Sequence, residues 1–257
     1  MQKSLFKLTA SREDLESTFR LLHAAYVEGG IAYPNSRGLR ATPYHLFPST
    51  EVAVALHPGR VVCTATLVRD GPLGLPMESI YQRQVTERRE RGLSLAEISC
   101  LAHAERPAMR YLQNVIGVMS LVAQVAWSRG VKQLLLTVHP RHASFYSRYL
   151  GCELIGGLRR YETVCYQPAV ALCLDMVGLV ERHPHGYARL FGTPYPVDAL
   201  QPKPMSREVV RWIADLLASD GESASHSTKL EAVDDAHEYV IKGPWLPAPA
   251  EVVRAVA

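Results

Sequence analysis

The chain has 257 residues, enough for one large domain or a domain with an appendage, and enough to bury a real core. Hydrophobic residues make up 47% and charged residues 21%, a balance that excludes a disordered or fibrous chain. A net charge of +3 is too small to imply the concentrated basic surface of a nucleic-acid binder, and no run of about 18 uncharged apolar residues reads as a membrane span.

The first residues, MQKSLFKLTASRED, turn polar at once, so no signal peptide is read. Cys63, Cys100, Cys152, Cys165 and Cys173 are odd in number and lack C-x-x-C spacing, which argues against a disulfide framework and a cysteine-held zinc. A reducing cytoplasm is the expected location. The histidines are scattered without a ligand pattern, and His183-Pro184-His185 reads as loop, so no metal is expected.

In chain order, 5–9 reads as a short strand, and Ser11 with Asp14 three residues later has the form of a capping box. Leu15, Phe19, Leu22 and Tyr26 then recur at helical spacing until Gly29-Gly30. Residues 31–50 carry Pro34, Pro43 and Pro48 and are irregular. Two β-rich runs in 51–70 flank His57-Pro58-Gly59 as an antiparallel hairpin, apolar on both faces and so central and covered. Residues 78–91 are expected to be helical, with Glu87 to Arg91 as a solvated charged face.

LAEISCLAH (95–103) is a strand, and Arg106-Pro107 leads into a long helix over about 108–129. Its apolar stripe of Leu112, Ile116, Met119, Ala123 and Ala126 is widened by Val115, Val118 and Val122. Gly130 caps it. A buried strand at 132–138, a short helix at 141–150 ended by Gly151, and strands at 152–157 and 168–176 follow. Residues 183–205 hold five prolines without a periodic pattern. Ser206 caps a helix with Val209, Ile213 and Leu216 on one face, and 220–229 has linker composition. The organisation read is a domain over 1–176 and a partly helical extension over 177–257.

This order of elements resembles the GCN5-related N-acetyltransferase (GNAT) fold, an α/β architecture whose mixed, mostly antiparallel sheet is flanked by helices and splays where two central strands part. LAEISCLAH with its helix carries the resemblance, and so does LTVHPRHASFYSRYLGCELIG, with Tyr146 in the helix and Gly151-Cys152-Glu153 at its exit. The likeness covers about two thirds of the chain. Within the superfamily, TPYHLFPST, GPLGLPMESIY, the strand Glu97-Ile98-Ser99 and HPRHASFYSRYLG look like the long-chain N-acyl amino acid synthases, relatives of the acyl-homoserine-lactone synthases.

That resemblance implies transfer of a fatty acyl group from acyl carrier protein to the α-amine of an amino acid, with the acyl thioester as co-substrate and no other cofactor. Two departures shape the expectation. The stretch AHAERPAMRYLQN has no glycine where acetyl-CoA enzymes cradle a pyrophosphate, which favours a carrier with one phosphate. Cys100 stands where the lactone enzymes carry Arg, which speaks against lactone formation. An acyl-CoA-dependent acetyltransferase, a signal-lactone synthase and a catalytically silent GNAT-like binding module are the rival readings.

The chemistry needs a base for the amine, donors for the oxyanion and an acid for the leaving thiolate. Glu97, a carboxylate mid-strand among apolar neighbours, is the expected general base. Backbone N–H groups of Leu101, Ala102 and His103, beside Ser99, would meet the pantetheine and oxyanion where 95–103 parts from 132–138. The resemblance gives Tyr146 the role of acid toward sulfur. Strict alternation points Cys100 away from Glu97 and Ser99, so a thiol nucleophile is not favoured.

Arg106 and Arg110, at the positive end of the long helix, would contact phosphate or the carrier. Arg40, Tyr44 and His45 on the proline-bearing loop would close over the amino acid, with Arg40 clamping its carboxylate. A C16 chain offers on the order of ten kcal/mol more burial than acetyl, so an apolar tunnel should govern donor choice. Trp212, Ile213, Leu216 and Trp245 would cover that tunnel or form a homodimer contact. Product or acyl chain would bring peripheral contact with a membrane.

Overall fold

A computed structural model describes residues 4–104, 108–221, 229–234, 238–242 and 252–254. The chain runs β1 (Leu5–Thr9), α1 (Arg12–Glu28), β2 (Thr50–His57), β3 (Arg60–Arg69), α2 (Glu78–Glu90), β4 (Leu95–His103), α3 (Ala108–Ser128) and β5 (Gln133–Val138). It continues through α4 (Pro140–Phe145), β6 (Glu153–Tyr161), β7 (Gln167–Asp175), α5 (Leu179–Arg182), α6 (Pro184–Phe191) and α7 (Arg207–Gly221). Strands β8 (Lys229–Asp234), β9 (Glu238–Lys242) and β10 (Val252–Arg254) form a small antiparallel sheet.

Seven strands make the main sheet in the order β1-β2-β3-β4-β5-β7-β6, and only the β4/β5 pairing is parallel. The hairpin strands β2 and β3 sit inside the sheet with both faces covered, which is why their sequence is apolar throughout rather than alternating. Helix α3 lies on one face, packing Val118, Met119 and Val122 against Ala65, Ile98 and Leu134. On the other face, α1 and α7 cover β2 and the end of β4, and α2 covers β3, β5 and β7. Each fully buried Val or Leu of these interfaces contributes about 1.5–3 kcal/mol of transfer free energy.

Local signals are answered in detail. The Ser11 hydroxyl accepts from the Asp14 N–H, but the Asp14 carboxylate takes the Thr9 hydroxyl at 2.8 Å and the Lys7 ammonium at 2.7 Å. The cap therefore forms without its reciprocal half. The short helix expected over 141–150 divides into α4 and a wider π-turn over Tyr146–Leu150, stopped at Gly151. There φ is +82° and a Cβ would meet the His183 ring at 2.8 Å, so glycine is required twice over.

His183-Pro184-His185 is not loop. His183 caps α6 by accepting the Gly186 N–H, and Pro184 occupies the first turn, where its missing N–H costs nothing. Beyond residue 176, Leu179 and Leu190 enter the core under α3, while Val209, Ile213 and Leu216 enter the core under α1. Trp212 stacks on Phe19 at 5.7 Å. Ile213 and Leu216 are buried within this chain, Trp212 is half-buried, and Trp245 lies outside the described residues. No helix among the described residues is long and apolar enough to cross a membrane.

Candidate active site

Strands β4 and β5 pair only over Leu95–Ile98 and Gln133–Leu136. Beyond that point β5 stays with β7 up to Val138, while β4 stays with β3 up to His103. The two strands therefore splay, and the wedge opens at Ser99. Just past this point the β3/β4 register slips: Thr66 faces Ser99 and Thr64 faces Ala102, so Cys100 and Leu101 both stand opposite Ala65. Cys100 takes up the extra residue at φ +52°, in the left-handed region.

This bulge re-phases the strand and corrects the expectation from strict alternation. Cys100 and Ala102 pack with the α1 side, the side that Leu95 and Glu97 also face, whereas Ala96, Ile98 and Leu101 pack with the α3 side. The Ser99 hydroxyl lies 3.7 Å from the Cys100 sulfur. Burial holds the Cys100 thiol above its ordinary range, opposed by Ser99 and the Arg40 charge, so it stays protonated and is no ready nucleophile.

Glu97 is 2% exposed, and its Oε2 accepts the Met77 N–H at 2.7 Å. Burial pushes its carboxyl up to about 8, with the Glu78 charge adding to the rise and the Met77 N–H opposing it. Tyr44 and Tyr161 face the same carboxyl; burial first, then the Glu97 charge, raises both phenols. The Tyr161 hydroxyl donates to the Pro76 carbonyl at 3.0 Å, tying β6 to the turn that presents Met77.

Arg40 lies over the Tyr26 ring at 5.1 Å, and one terminal nitrogen reaches the Thr163 carbonyl at 3.5 Å. Among the described residues its Nε is buried without a hydrogen-bond partner. Tyr26 is raised by burial and next by Cys100, and it also feels Arg40, Tyr161 and Tyr146. Tyr146 packs on the α3 side against Phe145, its phenol raised by burial and by Tyr111, Cys152 and Cys63.

Glu97, Ser99, Arg40 and Tyr44 thus gather around one end of the wedge, and Ala102 shares their face. Leu101 and His103 turn to the α3 side, where the His103 ring meets Tyr111 at 4.9 Å and Asn114 at 3.2 Å. His45 departs from expectation. It is 1% exposed, edge-on to Phe19 at 4.9 Å, and burial pushes it down to about 4. It is a neutral histidine that closes the Thr42 turn, not a group that meets substrate. Arg106 and the side chain of Arg110 lie outside the described residues.

Tyr26, Tyr161 and the Met77 N–H were not legible as site groups. Tyr26 reads as one member of an apolar helix stripe, Tyr161 follows a strand without a motif, and a backbone N–H carries no side-chain signal. No three His, Cys, Asp or Glu side chains converge as metal ligands among the described residues.

Comparison with known proteins agrees with this fold. Residues 17–175 match the family model described as N-acyl amino acid synthase FeeM. The solved structure of FeeM, an N-acyl amino acid synthase from uncultured soil microbes, superposes with a TM-score of 0.59 at 24% identity, covering 68% of this chain and 98% of that one. The acyl-homoserine-lactone synthase LasI gives 0.55 at 13% identity, over 75% of this chain and 96% of its own. The CoA-dependent acyl-homoserine lactone synthase BjaI, solved with SAM and isopentyl-CoA, gives 0.55 at 17%, over 82% and 98%. No curated protein matches by sequence.

Proposed function

Because the chain belongs to the FeeM family of N-acyl amino acid synthases and is an N-acyltransferase, we propose that it moves a long-chain fatty acyl group from acyl carrier protein to the α-amine of an amino acid. The observation that carries this reading is Glu97, a nearly fully buried carboxyl held at about 8 where β4 leaves β5. The raised value makes the ionised Glu97 a stronger base than an ordinary glutamate and brings it nearer to the amine it must deprotonate, and the carboxylate gains population as pH rises toward 8.

The amine nitrogen attacks the thioester carbonyl. The C–N bond forms, the amine proton passes to Glu97, and the C–S bond breaks to release the carrier thiol. The wedge at Ser99–Ala102 receives the pantetheine arm, and backbone donors there meet the oxyanion. Tyr146, held protonated, is the group with a proton for the departing sulfur. Arg40 receives the amino acid's carboxylate, with Tyr44 beside it. Arg106 and Arg110 contact the carrier or its phosphate.

The absence of glycine from AHAERPAMRYLQN supports a carrier protein over CoA as donor. CoA dependence in BjaI makes acyl-CoA the competing donor to test. Purified protein should release thiol from acyl carrier protein loaded with chains of about C12–C16 when amino acids are supplied. Faster turnover with the matching acyl-CoA assigns the donor to CoA instead, and turnover with acetyl-CoA alone removes the long-chain reading.

A further inference from the structure

The turn that supplies the Met77 N–H is held by an ion-pair network that the reaction does not itself require. The Arg89 guanidinium, on the last turn of α2, uses all three nitrogens. Nε and Nη2 donate to Asp70 at 2.7 and 2.6 Å, and Nη1 donates to Glu78 Oε2 at 2.6 Å while Nη2 is shared with Glu78 Oε1. Asp70 directly follows β3, and its N–H bonds the Leu95 carbonyl at 3.1 Å, two residues before Glu97. Glu78 begins α2, and its Oε1 also accepts the Leu75 N–H at 2.6 Å. Gly74, at φ +65°, lies so close that a Cβ would run into the Glu78 carboxylate. Arg89 thus ties the start of β4, the 74–77 turn and the start of α2 into one unit.

We infer that Arg89 is a positioning residue for Glu97, clamping Asp70 and Glu78 so that the 74–77 turn aims the Met77 N–H at the Glu97 carboxyl and so that the Glu78 charge is balanced beside it. A surface pair of ordinary worth would not need this geometry: the guanidinium is 35% exposed, and both its forks are filled. Lysine keeps the charge but has too few donors in too compact a head to pair both carboxylates two-pronged as Arg89 does. The titratable groups facing Glu97 are Glu78 from α2, Tyr44 from the 43–46 turn, Tyr161 from β6 and Cys100 on β4 itself. Of these Glu78 is the nearest in kind, a second carboxylate whose charge opposes ionisation of the first. Removing Arg89 therefore loosens the Met77 contact and leaves Glu78 uncompensated, and both changes act on Glu97 in the same direction.

The kinetic consequence rests on the general-base reading of Glu97, but the titration of Glu97 does not. Carboxyl carbons of the full-length protein carrying ¹³C-glutamate would be followed by NMR against pH, with Glu97 assigned by its loss in Glu97→Gln. Arg89→Met should move the Glu97 midpoint up, Glu78→Gln should move it down, and Arg89→Lys should fall between wild type and Arg89→Met. Midpoints unmoved in Arg89→Met and Glu78→Gln, with only the melting temperature lowered, would reduce Arg89 to a structural clamp and overturn the inference. If Arg89→Met does not fold, Glu78→Gln decides alone, and an unmoved or raised midpoint overturns it. The pH profile of kcat/KM should follow the same order as the midpoints. Midpoints that move while the profile stays fixed keep the inference and remove Glu97 as base.

Discussion

Cys100 and Glu97, three positions apart on one strand, face the same side of the sheet, because the bulge at Cys100 adds a residue to β4 opposite Ala65. In a regular strand that spacing would put them on opposite faces. The bulge thus does two things at once: it turns Ala102 toward α1 and turns the Leu101 and His103 side chains toward α3. It also sets a cysteine beside the candidate base without making it reactive.

The state of that thiol can be checked directly. Cys100, Cys63, Cys152 and Cys173 are buried and their thiols are pushed up by burial, while Cys165 is partly exposed. Iodoacetamide under native conditions near pH 7.5 should label Cys165 first and leave the other four until the protein unfolds. Peptide mass spectrometry reads the order. Early labelling of Cys100, or an acyl group retained on it after incubation with donor alone, would reinstate the thiol as nucleophile.

Glu97→Gln preserves shape and can still accept the Met77 N–H, but it removes basicity. Its kcat should fall by about 10²–10⁴ near neutral pH, with the donor KM little changed. Wild-type kcat/KM should rise with pH through about 8, the range to which burial moves Glu97, and the variant should lack that limb. A folded variant with near-normal kcat at pH 7 removes Glu97 from the reaction.

The same carboxyl makes a prediction about stability that needs no substrate. Its folded-state value, about 8, lies above its ordinary 4.5, so between these the folded protein binds the proton more tightly than the unfolded chain. This contribution is complete below about 4.5 and is lost as pH rises to about 8. Glu97→Gln does not titrate, so its melting temperature relative to wild type should increase from pH 5.5 to pH 8. A constant difference across that range would mean the carboxyl is not held protonated.

Much of this was legible because it depends on local pattern. The hairpin at His57-Pro58-Gly59 and the stripe of α3 follow from periodicity and turn chemistry, the parting at 95–103 was implied by the resemblance to the GNAT fold, and Glu97 was conspicuous as a charge among apolar neighbours. What escaped depends on long-range pairing. A bulge at Cys100 is set by register against Thr64 and Thr66, and nothing in LAEISCLAH marks it. His45 looks like a polar loop residue until Phe19 is seen against its ring. The proline-rich 183–205 hid α6, since Pro184 stands at its first turn, where it helps rather than breaks a helix. The Arg89 network was equally hidden: Glu78 and Arg89 stand 11 positions apart on α2, too far to meet along a straight helix, and α2 kinks between them at Tyr81, while Asp70 joins from just beyond β3.

Ile213 is fully buried beside Leu216 in the core that α7 shares with α1. Ile213→Ala should lower stability by about 2–4 kcal/mol through lost transfer energy and an unfilled cavity, seen as a lower midpoint in denaturant. Preference among acyl chain lengths should be unchanged. A shift of that preference without loss of stability would place Ile213 on the acyl tunnel after all.

Arg40 offers the sharpest test of how the acceptor is recognised. A guanidinium is costly to bury without an anion, yet among the described residues the buried Arg40 Nε has no partner and the one polar side-chain bond of Arg40 is a long one to the Thr163 carbonyl. Stacking on Tyr26 orients the fork but does not neutralise its charge. An incoming α-carboxylate would do so, and bidentate pairing would fix the amine's direction toward Glu97. Arg40→Lys should raise KM for the amino acid by roughly tenfold or more, with a smaller change in kcat, since a bidentate charged pair lost in a partly buried site costs about 1.5–3 kcal/mol. The comparison that isolates the contact pairs each enzyme with the amino acid and its carboxamide. Wild type should discriminate strongly between them, and Arg40→Met should hardly do so. Equal discrimination by both proteins would move the carboxylate to another group and leave Arg40 as a support for Tyr26.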